Sequence, residues 1–352
     1  MWLETEPRHY PRWIDPAGLI KAFMLAFVLG LPGLRAVAWR GAQLLNGCNH
    51  SALSHALRRA SSVKLVQALL AALTPPQGPR PGQLVAIDSM PVTLPATLRH
   101  GCAHLTRTTV GGGVLWAFTL HAARGVNPVR ILKLIEGAWS DAPLMAGVDL
   151  IAEGPLYLMD RGFYAIDLVA SWIKRRVRFI VRAKRTKIRY DVLRTLGRAR
   201  RAGDLCITED AVVRLGRQDR KVRPLARLVR ATLATGEELI LVSGLLTASA
   251  EFLLKAYRQR WQIERFHGYL KEMLGLAHLY SFQQNGLAFL VQVAVLLSVL
   301  LLLGGAPAKG LTVDRLYVLL KDLRQACGMF GLWRRNTMSK GQTRHRKKKK
   351  NL

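Results

Sequence analysis

Four polar residues recur at helical intervals late in the chain. Tyr257, Arg260, Glu264 and Lys271 are separated by 3, 4 and 7 residues, and at about 100° per residue those steps keep all four within a stripe roughly 60° wide. A single helix over residues 251–276 would present a phenol, a guanidinium, a carboxylate and an ammonium on one face. The carboxylate is an oxygen ligand for a hard cation, while the guanidinium and ammonium are donors suited to phosphate. The same residues would equally serve as solvated surface, with Arg260 and Glu264 as an i,i+4 ion pair worth about a few tenths of a kcal/mol.

Two acids upstream also stand out, because acids are scarce: 22 Asp and Glu face 53 Lys and Arg, for a net charge of +31. Asp88 follows the apolar residues 84–87 in what reads as a buried strand. Asp160 ends a short apolar run at 155–159, is followed by an Arg161-Gly162 turn, and precedes helical spacing from 164 to 175. That order puts Asp160 at the carboxyl end of a strand, a usual place for a site in an open α/β sheet. Either aspartate taken alone would more often be a turn former. Asp167, on the following helix, reads as solvated.

The Tyr-(2)-Arg-(3)-Glu-(6)-Lys spacing resembles the signature of DDE-type insertion-sequence transposases, in the subgroup named for its Tyr-Arg-Glu-Lys residues. The Asp88 strand with its Ser-Met-Pro continuation and the Asp160-Arg-Gly-Phe-Tyr string resemble that family's first and second aspartate motifs. The resemblance implies that Asp88, Asp160 and Glu264 are the catalytic, metal-binding acids. It implies that Tyr257, Arg260 and Lys271 hold transposon-end DNA. Its implied fold is α/β, a ribonuclease-H-like mixed sheet flanked by helices, with an inserted β-rich subdomain and an all-helical N-terminal region. Its implied chemistry is cut-and-paste transposition with two magnesium ions, manganese serving as well, shared by the three carboxylates. The implied partners are double-stranded DNA, at transposon ends and target, and a second copy of the chain in the synaptic complex. A catalytically silent end-binding regulator and a nuclease without strand transfer are the alternatives. Hairpin-forming relatives hold a flipped base with a Trp in the insertion; no Trp lies between Trp172 and Trp261 here, which leaves Tyr190, an Arg, or no hairpin at all.

The elements that must position these residues can be read around them. Residues 1–74 are helical in pattern, and a glycine turn before a basic helix carrying Arg58 and Arg59 fits either a helix-turn-helix for DNA ends or a plain bundle. Residues 75–83 form a Pro/Gly linker. The catalytic core is expected at 84–184 and 239–305, split by an insertion at 185–238. Asp160 and Glu264 have 103 residues between them, whereas the intervening core elements need about 35. Between 174 and 230 lie 20 Lys and Arg and 5 acids, a surplus suited to a phosphate backbone.

Residues 286–303 are almost wholly apolar and of transmembrane length, and are expected to be a buried core helix rather than a membrane span. A helical region at 306–339 and a basic, disordered tail at 340–352 complete the expected order. The four cysteines are far apart, with no CxxC pair, and the first residues lack signal-peptide character. A cytoplasmic, nucleoid-associated protein without a membrane partner is expected.

Overall fold

The computed structural model describes residues 14–73, 79–93, 110–120, 128–136, 140–276, 281, 284–304 and 312–326. The chain divides into two compact units, one formed by residues 75–267 and the other by 1–74 with 268–352.

The first unit is built on one mixed sheet. Strands β1 (Leu84–Thr93), β2 (Val110–Thr119) and β3 (Val129–Glu136) form an antiparallel meander. Next to β1 on its other side runs β4 (Leu156–Met159), parallel to it, followed by the parallel strand β5 (Phe179–Arg182). The short helix α5 (Asp141–Leu144) precedes β4, and α6 (Ile166–Lys174) makes the crossover from β4 to β5. Helix α6 turns Val169 and Trp172 inward, where Trp172 packs on Phe179 with ring centroids 5.2 Å apart. Asp167 in its first turn and Lys174 in its last complement the helix dipole. Asp167 is not merely solvated: Arg220 binds both of its oxygens, at 2.7 and 2.8 Å.

Residues 190–233 are β-rich, as their turn signals imply. Strands β6 (Tyr190–Gly197), β7 (Arg200–Ala202), β8 (Leu205–Leu215) and β9 (Leu225–Leu233) are all antiparallel to their partners. They continue the same sheet. Strand β10 (Glu238–Ser243) pairs with β5 on one side and β9 on the other, giving the order β3-β2-β1-β4-β5-β10-β9-β8-β6 with β7 on β8. The backbone edge of β10 away from β5 is thereby satisfied by β9.

The charge on this segment is sorted by pairing. All five acids between residues 190 and 233 are engaged by arginines: Asp191 by Arg223, Asp204 by Arg258, Glu209 by Arg230, Asp210 by Arg227 and Arg200, and Asp219 by Arg217. The remaining cations, Arg194, Arg201 and Arg214 among them, stay exposed.

The helical unit contains α1 (Pro16–Leu29), α2 (Leu34–Arg40), α3 (His50–Leu57) and α4 (Ala60–Leu73), with α9 (Gln284–Gly304) and α10 (Thr312–Ala326). Local chemistry fixes the ends of α1: the Asp15 carboxylate accepts from the Gly18 N–H at 3.0 Å, Pro16 occupies the first turn, and Gly30 closes it at φ 62°. The 21-residue α9 packs against α1, α3, α4 and α10, and its residues from Ala288 to Val299 are buried. Its apolar girth is covered by these helices, and the internal Ser298 hydroxyl donates to the Ala294 carbonyl at 2.7 Å. In the same unit, the buried Arg324 of α10 donates to the carbonyls of Val28 and Phe27 near the end of α1, at 2.9 and 3.1 Å.

Candidate active site

The parallel pairing of β1 with β4 fixes the centre of the site. Ile87 lies opposite Met159, the last pair of that ladder, so Asp88, midway along β1, and Asp160, just past the carboxyl end of β4, stand side by side, while β1 runs on to Thr93 instead of ending at Asp88. Strand alternation then assigns the faces. Val85, Ile87, Tyr157 and Met159 enter the core that includes α6, so Asp88 points to the opposite face. There its cross-strand partner is Trp116, with Phe118 two residues along β2.

That second face carries the segment with Arg260 and Glu264. Ser249 caps α7 (Ala250–Arg258), its hydroxyl accepting from the Phe252 N–H at 3.1 Å. Helix α8 (Trp261–Gly268) follows and sets Phe266 on the sheet, stacked on Phe118 at 4.7 Å and edge-on to Trp116 at 6.0 Å. Glu264 and Arg260 are thus brought over the sheet face that bears Asp88.

The expected single helix over 251–276 is interrupted twice. Around Gln259 the backbone tightens: the N–H groups of Gln259, Arg260, Gln262 and Ile263 each reach the carbonyl three residues back, as in a 3₁₀ turn. After Gly268 it widens into a π-helical turn, Tyr269–Met273, where the Leu274 N–H reaches the Tyr269 carbonyl five residues back. Tyr257, Arg260 and Glu264 remain grouped. Lys271 lies in the π-helical turn, which belongs to the helical unit.

Arg260 is the hub of the group. Its guanidinium is 2.5 Å from the Glu264 carboxylate and 3.8 Å from that of Asp88, and it feels the charge of Asp160. Its side chain is only 13% exposed. Beneath it lies Tyr257, buried, with the guanidinium carbon 5.8 Å from the ring centroid. Burial pushes the Tyr257 phenol well above its ordinary range. A phenol so placed seats Arg260 rather than presenting a surface of its own.

Burial also dominates Asp88, whose carboxyl is pushed up to about 7. Arg260 and the Ser89 N–H, 2.9 Å away, pull it back, while Asp160 and Asp141 push it further up. His267 approaches the same carboxylate, with Nδ1 at 3.9 Å from Oδ2. The sequence carried a signal for His267, since it lies seven residues after Arg260 on the same helical stripe. It carried none for Asp141, which tertiary packing alone brings in.

The donor set fits a hard divalent cation, because Asp88, Asp160 and Glu264 offer only carboxylate oxygens. A cation would also favour the ionised form of the buried Asp88. The Glu264 carboxylate is turned to Arg260, and among the described residues no three His, Cys, Asp or Glu side chains converge closely enough to hold one ion.

Two cavities lined mainly by cations lie in the same unit, the first beside Arg161, the residue after Asp160. One, of ≈ 420 Å³, lies at the carboxyl end of β5 and is lined by Arg161, Arg182, Lys184 and Arg185, with Glu238. Another, of ≈ 360 Å³, is lined by Lys187, Arg189, Arg217 and Arg220. Tyr190, the sequence candidate for holding a base, is tied instead into the sheet: its hydroxyl donates to Glu209 at 2.8 Å and accepts from Arg230 at 3.0 Å.

Comparison with known proteins gives three results. The family model described as "Transposase DDE domain" matches residues 79–300. A protein of Geobacillus stearothermophilus described as a probable transposase for insertion sequence element IS5377 is 25% identical over 149 residues, 42% of this chain and 38% of that protein. A cryo-EM structure of a piggyBac transposase synaptic complex with hairpin DNA aligns with 92% of this chain and 74% of its own, at 10% identity and a TM-score of 0.46.

Proposed function

Since the chain belongs to the transposase DDE-domain family, we propose that it is a DNA transposase of the cut-and-paste kind, nicking element ends and joining them to target DNA at Asp88, Asp160 and Glu264. The observation that carries this reading is the pair of aspartates on adjacent parallel strands, side by side where the pairing of β1 with β4 ends, with α8 packed by Phe266 on the face to which Asp88 points. The antiparallel meander followed by two strands parallel to β1 supports a ribonuclease-H-like core.

The three carboxylates would hold divalent cations, magnesium or manganese, which when bound activate the attacking water or 3′-hydroxyl and stabilise the leaving oxygen of an in-line displacement. Arg260 holds the acids together and neutralises them in the unloaded chain. Its second role is as a phosphate donor at the site, seated on Tyr257. Lys271 provides a further phosphate contact. The two cationic cavities and the exposed arginines of the inserted strands form the track for the DNA backbone. In the working complex two copies of the chain bridge two ends, and the N-terminal region, residues 1–74, reads the end sequence.

The test is an assay on linear DNA carrying the element's own termini and a supercoiled target, with magnesium. Cleavage at the termini followed by covalent joining to the target supports transposition. Cleavage without joining would assign the chain to a nuclease, and binding without cleavage to an end-binding regulator.

A further inference from the structure

The structure assigns to Asp141 the role of a positioning residue that locks the two aspartate-bearing strands to each other where their pairing ends. It rests on the reading of Asp88 and Asp160 as cation-holding acids, and it concerns a residue on the opposite side of the sheet from Glu264.

Three contacts carry it. Ser89 Oγ donates to Asp141 Oδ1 at 2.6 Å, and the Ser89 backbone N–H donates to Asp88 Oδ1 at 2.9 Å. One serine thus links the two carboxylates, its side chain below the sheet and its amide at the site above. The other Asp141 oxygen fills the space beside Gly162, two residues after Asp160. A Cβ on Gly162 would lie 2.0 Å from Asp141 Oδ2 and 2.9 Å from its Cγ. The glycine of the Asp-Arg-Gly string is therefore needed for space. Its φ is not in the left-handed region.

Asp141 itself is held firmly. It opens α5, and Leu144 and Met145, just behind it, are buried in the same core as Phe163, the residue after Gly162. The carboxylate therefore acts as a strut, with Ser89 at one end and the Gly162 turn at the other. Ser89 is the residue after Asp88 and Gly162 is on the turn after Asp160, so the strut fixes how far apart the two acids stand. A cation shared between them requires that separation to be fixed before it binds.

The experiment uses the full chain and manganese binding by calorimetry, alongside thermal melting and DNA-end affinity. Asp141→Ala and Ser89→Ala should each weaken manganese binding about tenfold, leaving DNA-end affinity unchanged. The double variant should be no weaker than either single, since both remove one bond. Asp141→Asn keeps an acceptor for Ser89 and should bind manganese close to wild type. Gly162→Ala should mimic Asp141→Ala, and most of its effect should vanish in an Asp141→Ala background. Additive losses from Asp141→Ala and Ser89→Ala, or lowered melting temperature with manganese affinity intact, would overturn the strut. That result would leave the transposase reading standing. Conversely, a wild-type chain whose manganese binding depends on Asp141 and Ser89 as described, but which neither cleaves nor joins DNA, would sink the transposase reading alone.

Discussion

Replacing Asp88 by Asn changes one proton and almost no volume, and the structure sets the size of the effect. The Asp88 carboxyl is pushed from an ordinary 3.8 to about 7, first by burial against Trp116 and then by Asp160 and Asp141. In the unfolded chain it ionises near pH 3.8. Between those values the native state holds a proton that the unfolded state has lost, so stability from this group is fully present below pH 3.8 and is lost as pH rises through 7. At 1.36 kcal/mol per pH unit, the displacement corresponds to about 4 kcal/mol. The amide that Asp88→Asn introduces cannot titrate, and its oxygen still accepts from the Ser89 N–H. Denaturant unfolding of both proteins without divalent cation, from about pH 3.5 to 8.5, should show similar stability at the acid end. Toward pH 8 the Asp88→Asn protein should become the more stable by about 4 kcal/mol. Manganese at about pH 8 should then stabilise the wild type and not the variant, because a bound cation replaces the proton. Parallel pH curves for the two proteins would refute the claim that Asp88 is a buried carboxylate in search of a cation.

Other consequences follow from charge and burial. Glu264→Gln should abolish nicking while leaving affinity for element ends unchanged in gel-shift titration, because a carboxylate offers phosphate nothing. Arg161→Ala with Lys184→Ala should weaken end binding and reduce the slope of log affinity against log salt by about 1.8, two phosphate contacts at about 0.9 each. Asp210→Ala should cost about 3–5 kcal/mol in chemical denaturation, since it strands Arg227, the two side chains being 2% and 6% exposed. Phe266→Ala should cost about 3–5 kcal/mol by the same measure and loosen α8 over the sheet.

What could be read from the sequence was what short-range pattern encodes. Asp160 was legible because a lone acid after five apolar residues marks a strand end, and Asp88 because it interrupts an apolar run, although β1 continues past it to Thr93 instead of ending there. Glu264 and Arg260 were legible because their four-residue spacing survives even a distorted helix. The first break in that helix was not, since no Pro or Gly lies between Tyr257 and Ile263; the 3₁₀ tightening there has no local breaker in the sequence, whereas Gly268 stands immediately before the second. Nor could a repeating spacing reveal that Tyr257 faces inward while Arg260 does not leave the acids. The inserted strands announced themselves by alternation and turns. Their partner did not, because which open edge they join is decided by β10 and its unsatisfied backbone. Asp141 lay in an irregular stretch with no periodicity to place it, and only the packing of Leu144 and Met145 with Phe163 carries it to Ser89 and Gly162.

The central claim is that Asp88, Asp160 and Glu264 perform one metal-dependent reaction on DNA, and one measurement addresses it directly. Wild-type protein and the variants Asp88→Asn, Asp160→Asn and Glu264→Gln would be incubated with magnesium and DNA containing the element's own ends, and the strands mapped at nucleotide resolution. The account predicts cleavage at the element boundary leaving 3′-hydroxyls in the wild type, none in any of the three variants, and undiminished end binding by all four proteins. Boundary cleavage that persists in any one of the three variants, or a wild type that binds the ends and leaves them whole in magnesium and manganese alike, would contradict it.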